Sequence, residues 1–414
     1  MIEQPKPSAL SEQVQNMIEW LASYGGDGKG GVTRLLYDPA WRAAQQAIKS
    51  KMEELGLLAR YDDAGNLFGR IDGHDSKAPV ILTGSHIDTV IGGGKYDGAY
   101  GIIAALIAVE YLKTYYGLPI KPIEVVSLCE EEGSRFPITY WGSGSITGVK
   151  KREMVRGIKD ANNVPFEQAM HAAGFGTMQH PEPKRIDLEC FIELHIEQGE
   201  VLEREKKSIG IVSHIVGQRR YDITVFGESN HAGTTPMQWR HDAMFTAAEL
   251  IRLLIHRANM EKSGLVATVG RIDVKPNVGN VIAREVTFSL DVRHSDADKI
   301  HAFCEECFGE FEKIAAQHGT SIVCEKWMDE SPVAMDSSLS AAAENILKKE
   351  GISYKTMTSG AGHDSQVFGT YCPAALLFVP SRGGISHSPE EYTNAEDLQR
   401  GVRLLIAMLH KLAY

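Results

Sequence analysis

The chain has 414 residues, 43% of them hydrophobic and 23% charged, which is enough apolar material for two ordinary domains with real cores. Its 54 acidic residues outweigh 43 basic ones and leave a formal charge of −11, excluding the long basic patch of a nucleic-acid binder. Six scattered cysteines do not read as a disulfide framework, and no run of about 18 apolar residues offers a membrane span. The opening stretch MIEQPKPSALSEQ has no basic region followed by an apolar one, so no signal peptide is expected and the expected location is the cytoplasm.

Apolar residues at three/four spacing predict helices over 8–24 and 38–56. Apolar runs predict strands at 66–71 (NLFGRI) and 79–84 (PVILTG), then a mostly buried helix over 99–116. Further strands are predicted at 122–129 (PIEVVSLC) and 189–194 (ECFIEL). Residues 212–330 read differently: strand 220–226, helix 241–258, strands 265–273 and 284–293, helix 296–317 and strand 320–327. That order is the split β-α-β-β-α-β pattern of a ferredoxin-like sandwich. A strand at 374–379 (AALLFV) and a helix over 391–412 close the chain. The fold class is therefore α/β with two domains: a catalytic α/β domain from 1–211 and 331–414, and an inserted α+β domain from 212–330.

The chemistry-bearing residues share one placement. His86 (GSHIDTV) follows the 79–84 strand, and Asp97 (GGGKYDGAYG) leads into the long helix. Glu130, Glu131 and Glu132 follow the 122–129 strand, His195 (ELHIEQG) ends the 189–194 strand, and His387 (GGISHSPEE) follows the last. Each lies past the carboxyl end of an apolar strand, the edge where α/β sheets form their ligand crevice. Taken singly, each has a plainer reading: a loop histidine, a solvated acidic run, an Asp-Gly turn. Their joint placement favours a metal site. Histidines mixed with carboxylates suit zinc, or manganese where carboxylate is plentiful. If Asp97 bridges two ions, the remaining ligands suffice for a paired-metal hydrolase. Glu131 is the candidate general base.

The insert has its own cluster, GESNHAGTTPM over 227–237. Thr234 or Thr235 can cap a helix with Pro236 at its start, leaving His231 free to project. Asn280 (PNVGN) and Arg293 (LDVRH) follow. Arg293 suits a substrate carboxylate, with a surface salt bridge as the competing reading. Cys304 and Cys307 sit in a helical pattern and read as ordinary reduced thiols.

The motifs GSHIDTV, YDG, EEEGSRF, LHIEQG, NHAGTTPM, DVRH, SGAGHDS and ISHSPEE span residues 84 to about 390. Together they resemble the hydantoinase/carbamoylase branch of the di-zinc aminoacylase-type hydrolases. The resemblance implies a mixed central sheet in the catalytic domain and a lid and dimerisation role for the insert. It implies two divalent ions per subunit (Zn2+ or Mn2+): His86 and His195 each hold one, Asp97 bridges, and Glu132 and His387 complete the set. Glu131 is then the base, and Asp88 orients His86. His231, Asn280 and Arg293 meet the substrate from the insert, while Gln198, Gly362 and His363 meet it from the catalytic domain. It also implies a homodimer in which His231 reaches the other subunit's site. The expected partner is a small ureide, with no nucleic acid and no membrane. Which ureido compound is cut stays open: N-carbamoyl-L-amino acids and 3-ureidopropionate share the same chemistry.

Overall fold

The computed structural model describes residues 6–75 and 77–414; the reading of the opening stretch falls partly on residues 1–5, outside the described residues. In chain order the elements are α1 (Pro7–Ala22), α2 (Pro39–Glu54), β1 (Leu58–Tyr61), β2 (Leu67–Ile71), β3 (Val80–His86), α3 (Ala99–Tyr116), β4 (Ile123–Leu128), α4 (Trp141–Thr147), α5 (Phe166–Ala172), β5 (Leu188–Ile196), α6 (Val201–Arg204) and β6 (Ile209–Ile215). They continue with β7 (Gly217–Phe226), α7 (Ala243–Met260), β8 (Val266–Thr268), β9 (Ile272–Lys275), β10 (Glu285–His294), α8 (Ala297–Gln317) and β11 (Ser321–Glu330). The chain closes with β12 (Val333–Ala334), α9 (Ser337–Glu350), β13 (Tyr354–Ser359), α10 (Asp364–Phe368), β14 (Ala374–Val379) and α11 (Ala395–Ala413). Two compact units result: 1–213 with 334–414, and 214–333.

The first unit is built on a mixed nine-stranded sheet ordered β1-β2-β4-β3-β5-β14-β6-β12, with β13 beside β6. Its centre, β4-β3-β5-β14, is parallel, and the flanking β2 and β6 run antiparallel to it. Strands β3, β4 and β14 are buried at every position, which explains their near-continuous apolar sequences. Helix α3 is apolar on all sides and buried along most of its length. Several helices start on a side-chain cap: Asp38 accepts from the Trp41 amide, Asp336 from Ser338 and Leu339, and Asn394 from Asp397.

The second unit is a sheet ordered β11-β7-β10-β8, with β9 also on β10, and all its pairs are antiparallel. Counting β8 and β9 as one interrupted strand gives the ferredoxin-like β-α-β-β-α-β order. The predicted single strand at 265–273 is broken because the amides of Gly270 and Arg271 turn onto the Ser289 hydroxyl. Alternate residues of β7 (Tyr221, Ile223, Val225) and β10 (Val286, Phe288, Leu290, Val292) pack against α7 and α8. Cys304 and Cys307 lie in this core, their thiols pushed up by burial to about 11 and about 12. All six cysteines are free. Among the described residues, no helix is long and apolar enough to cross a membrane.

Candidate metal centre

The parallel strands deliver the candidate ligands to one edge of the sheet. His86 is the last residue of β3, His195 is next to last in β5, and the Glu130–Glu132 run follows β4 after one intervening residue. Asp97 arrives on the loop before α3. That loop packs tightly: a Cβ on Gly98 would lie 2.4 Å from the His86 carbonyl and 2.5 Å from its ring, at a φ of +63°. Only glycine fits there.

Asp97 is the centre of the cluster. Its Oδ1 lies 3.2 Å from His195 Nε2 and 3.6 Å from His86 Nε2. Its Oδ2 lies 3.2 Å from His387 Nε2, which is also 3.3 Å from Glu132 Oε1. The ligand atoms of His86, Asp97 and His195 fall within 4.8 Å of one another, as do those of Asp97, Glu132 and His387. One carboxylate thus belongs to two clusters through its two oxygens. Here the geometry differs from the resemblance, which gives His86 and His195 to different ions: both rings face Oδ1.

The donor chemistry fits a metal pair. His86 Nδ1 lies 3.0 Å from the Asp88 carbonyl and 3.3 Å from Asp88 Oδ1. His195 Nδ1 lies 2.9 Å from the Ile196 carbonyl. In both rings Nδ1 is therefore the protonated nitrogen, and Nε2 presents a lone pair toward Asp97. The Gly98 amide, 3.1 Å from His195 Nε2, agrees with that tautomer. Lone pairs of two imidazoles facing a carboxylate are mutually repulsive unless a proton or a cation lies between them. The titration behaviour has the same origin. Burial opposes ionisation of Asp97, yet the imidazoles, His195 first, hold it well below the usual carboxylate range. Burial opposes charge on His86, yet Asp88 and Asp97 pull it well up. Hydrogen bonds to Asp97 and Glu132 raise His387 to about 10. The pocket demands positive charge, which divalent ions supply.

Asp88 does more than orient His86. Its two oxygens accept from the amides of Glu131 and Glu132 at 3.0 and 3.1 Å, so one carboxylate sets both the histidine and the acidic turn. Glu131 comes within 4.8 Å of the ligand atoms of His86 and Glu132. Burial pushes its carboxyl well up, against the opposing charge of His86. That is the direction a proton acceptor working near neutral pH needs.

The resemblance gives three residues on this unit to the substrate: Gln198, Gly362 and His363. The Gln198 amide is committed to the centre: Nε2 donates to Asp97 Oδ2 at 3.1 Å and to Ser386 Oγ at 3.2 Å. His363 is buried edge-on against His195, with ring centroids 4.6 Å apart, and its Nε2 has no hydrogen-bond partner among the described residues. Burial keeps it neutral by moving its pKa well down. Gly362 packs directly beneath the Tyr140 hydroxyl.

Sequence reasoning gave no role to two supporting residues. Arg34 is fully buried; its Nε donates to the Ile87 carbonyl at 2.8 Å, and its backbone exchanges bonds with Thr89. It clamps the loop that follows His86 and carries Asp88. Glu391 accepts from the amides of Tyr96 and Asp97 at 2.9 and 3.1 Å. Burial, then the charge of Asp97, raises its carboxyl to about 7. The available signal was an arginine in an otherwise apolar stretch (VTRLLY) and a second acid after ISHSPE.

In the insert, His231 and Asn280 are exposed neighbours. The Ala232 amide donates to the Asn280 carbonyl at 3.0 Å, and His231 bridges Val281. This pairing prolongs the β7–β10 ladder beyond Phe226 and Glu285. Arg293 stands at the ladder's opposite end, across from Gln218. Its Nε and Nη2 are forked onto Asp291 at 2.9 and 3.0 Å, and Arg220 shares that carboxylate. The eight steps from Glu285 to Arg293 alone cover about 26 Å at roughly 3.3 Å per residue.

An α/β sheet with a shared-carboxylate ligand cluster at its strand ends, interrupted by a ferredoxin-like unit, defines a metal-dependent hydrolase. The chain belongs to the peptidase family M20/M25/M40, whose model matches residues 81–411, and within it to the metal-dependent amidohydrolases. It is 49% identical to the allantoate amidohydrolase of Bacillus subtilis, over 98% of each chain. It is 44% identical to the allantoate amidohydrolase of Escherichia coli, over 97% of this chain and 98% of that one. Among solved structures, an amidase of the hydantoinase/carbamoylase family from Burkholderia multivorans matches with a TM-score of 0.91 at 34% identity, covering 96% of this chain and 97% of that one.

Proposed function

We propose that the protein hydrolyses a ureido C–N bond of allantoate, giving ureidoglycine, ammonia and carbon dioxide, as a cytoplasmic homodimer carrying two divalent ions (Zn2+ or Mn2+) per subunit. The observation that carries the chemistry is the double use of Asp97, one oxygen toward His86 and His195 and the other toward His387 and Glu132. His86, Asp97 and His195 would hold one ion, and Asp97, Glu132 and His387 the other. When bound, the ions would polarise the ureido carbonyl and acidify water for attack at neutral pH. Glu131 accepts the proton of the attacking water and passes it to the leaving nitrogen. Asp88 keeps Glu131 and His86 in register with one another. The substrate choice rests on identity: the two relatives called allantoate amidohydrolase stand at 49% and 44%, and the carbamoylase-family amidase at 34%.

Arg293 would bind the substrate carboxylate, with Asp291 fixing the plane of its guanidinium. His231 would stabilise the oxyanion that forms at the ureido carbonyl, with Asn280 beside it. A small ureide cannot span the β7–β10 ladder, so one chain's His231 and Arg293 cannot both touch it. This supports a site built from two subunits, with His231 and Asn280 supplied by the partner.

The test is ammonia release by metal-loaded protein from allantoate, N-carbamoyl-L-amino acids and 3-ureidopropionate. Allantoate is expected to give the highest kcat/KM. A higher value for an N-carbamoyl-L-amino acid or for 3-ureidopropionate would make the protein a carbamoylase or a β-ureidopropionase on the same scaffold.

A further inference from the structure

We infer that Glu391 is a positioning residue for the His387 half of the metal centre: it fixes the Asp97 carboxylate and the His387 turn as one unit before an ion binds. The inference rests on the two-ion reading above. It begins from an asymmetry between the halves. His86 and His195 are buried, lie within strands, and have Nδ1 tied to nearby acceptors. His387 is half-exposed and lies on the irregular segment between β14 and α11. Its φ of +56° is in the left-handed region that side chains rarely adopt, and Gln198 facing it has the same value. Something else must hold this half.

A closed ring of hydrogen bonds does so. Glu391 Oε1 accepts from the Tyr96 and Asp97 amides. Glu391 Oε2 accepts from the Ser386 hydroxyl at 2.8 Å. With its proton spent on Glu391, Ser386 Oγ accepts from Gln198 Nε2 at 3.2 Å, and the same nitrogen donates to Asp97 Oδ2 at 3.1 Å. The ring therefore grips Asp97 twice, by its backbone and by the oxygen that faces His387. Glu391 is itself enclosed: a Cβ on Gly94 would lie 2.1 Å from its Oε1, so a side chain there would displace it. Among the described residues, no bond of this ring reaches His86, and its link to the His195 cluster runs through Asp97.

The experiment measures metal binding by chelator-stripped protein, using equilibrium dialysis against Mn2+ with elemental analysis. Wild type is expected to bind two ions. Glu391→Ala is expected to keep one ion at near wild-type affinity and to weaken the other by about 10–100-fold. Glu391→Gln can still accept from both amides and can donate to Ser386, so about threefold or less is expected at either ion. Ser386→Ala, which opens the ring while leaving the Asp97 backbone held, should weaken the same single ion by a smaller factor. Equal weakening of both ions in Glu391→Ala, or of neither, overturns the inference, as does a Glu391→Gln protein as impaired as the alanine variant. Melting of the stripped proteins checks folding. If Glu391→Ala does not fold, Ser386→Ala decides, and unchanged affinities there overturn the inference. A wild type that binds fewer than two ions overturns the two-ion reading itself.

Discussion

In the sheet-centred unit most of the candidate ligands are buried or partly buried, and their orientations are set by neighbours. Asp88 holds His86, Glu131 and Glu132; Arg34 clamps the loop beneath Asp88; Gln198 holds Asp97. In the insert the opposite holds. His231 and Asn280 are exposed on a prolonged ladder, and Arg293 lies at its other end. The contrast separates two jobs. The proposed chemistry is assembled inside one unit from strand ends, where a displacement of about 1 Å would be costly. In the proposed function, recognition is left in pieces at opposite ends of one ladder, which is why the site is proposed to draw on two chains.

Breaking the buried side should have the largest effect. Glu131→Gln removes the proton acceptor but keeps its size and its amide bond to Asp88. Turnover should fall by about 10³-fold or more, with metal content unchanged in elemental analysis. Near-normal turnover would move the base elsewhere, and lost metal would make Glu131 a ligand instead.

The next effect tests the exposed side. His231→Ala should lower kcat by about 10²–10³-fold, as loss of an oxyanion donor does. Arg293→Ala should also be inactive at low substrate. The two inactive proteins, unfolded together and refolded, should regain activity. A mixed dimer has one site with both residues intact, so random assembly restores about a quarter of the wild-type sites. If His231 served its own chain, every site in the mixture would lack one residue and no activity would return.

How much of this was legible in the sequence follows the same divide. The strand-end positions of His86, His195 and the Glu130–Glu132 run were legible because buried parallel strands are uniformly apolar, so a polar residue at their end stands out. The ferredoxin-like order was legible because β10 alternates strictly and β7 does so from Tyr221 on, with one face on the helices. Other features were not. The sharing of Asp97 Oδ1 by two histidines depends on where rings point, which spacing does not encode. The distance between Arg293 and His231 depends on strand register, because residues far apart in sequence but at opposite ends of one ladder look no different from neighbours. Strands β1 and β13 were not anticipated; only three positions of β1 and four of β13 are even partly buried, too weak a pattern to read as strand.

The smallest expected effect sharpens the recognition side. Arg293→Lys keeps the charge but loses the planar fork. The wild-type guanidinium is held by two bonds to Asp291, whose carboxylate also receives Arg220. An ammonium can reach one oxygen of Asp291 but cannot be fixed in a plane by it, so a substrate carboxylate would meet a mobile point charge. Binding should therefore weaken while the buried chemistry is untouched: KM for allantoate should rise by about tenfold and kcat should change by less than about threefold. Steady-state kinetics at saturating metal separates the cases. A fall in kcat at constant KM would mean that Arg293 acts on the transition state rather than on the bound carboxylate. An unchanged KM would leave Arg293 as the salt-bridge partner of Asp291 and nothing more, and the carboxylate would need another anchor.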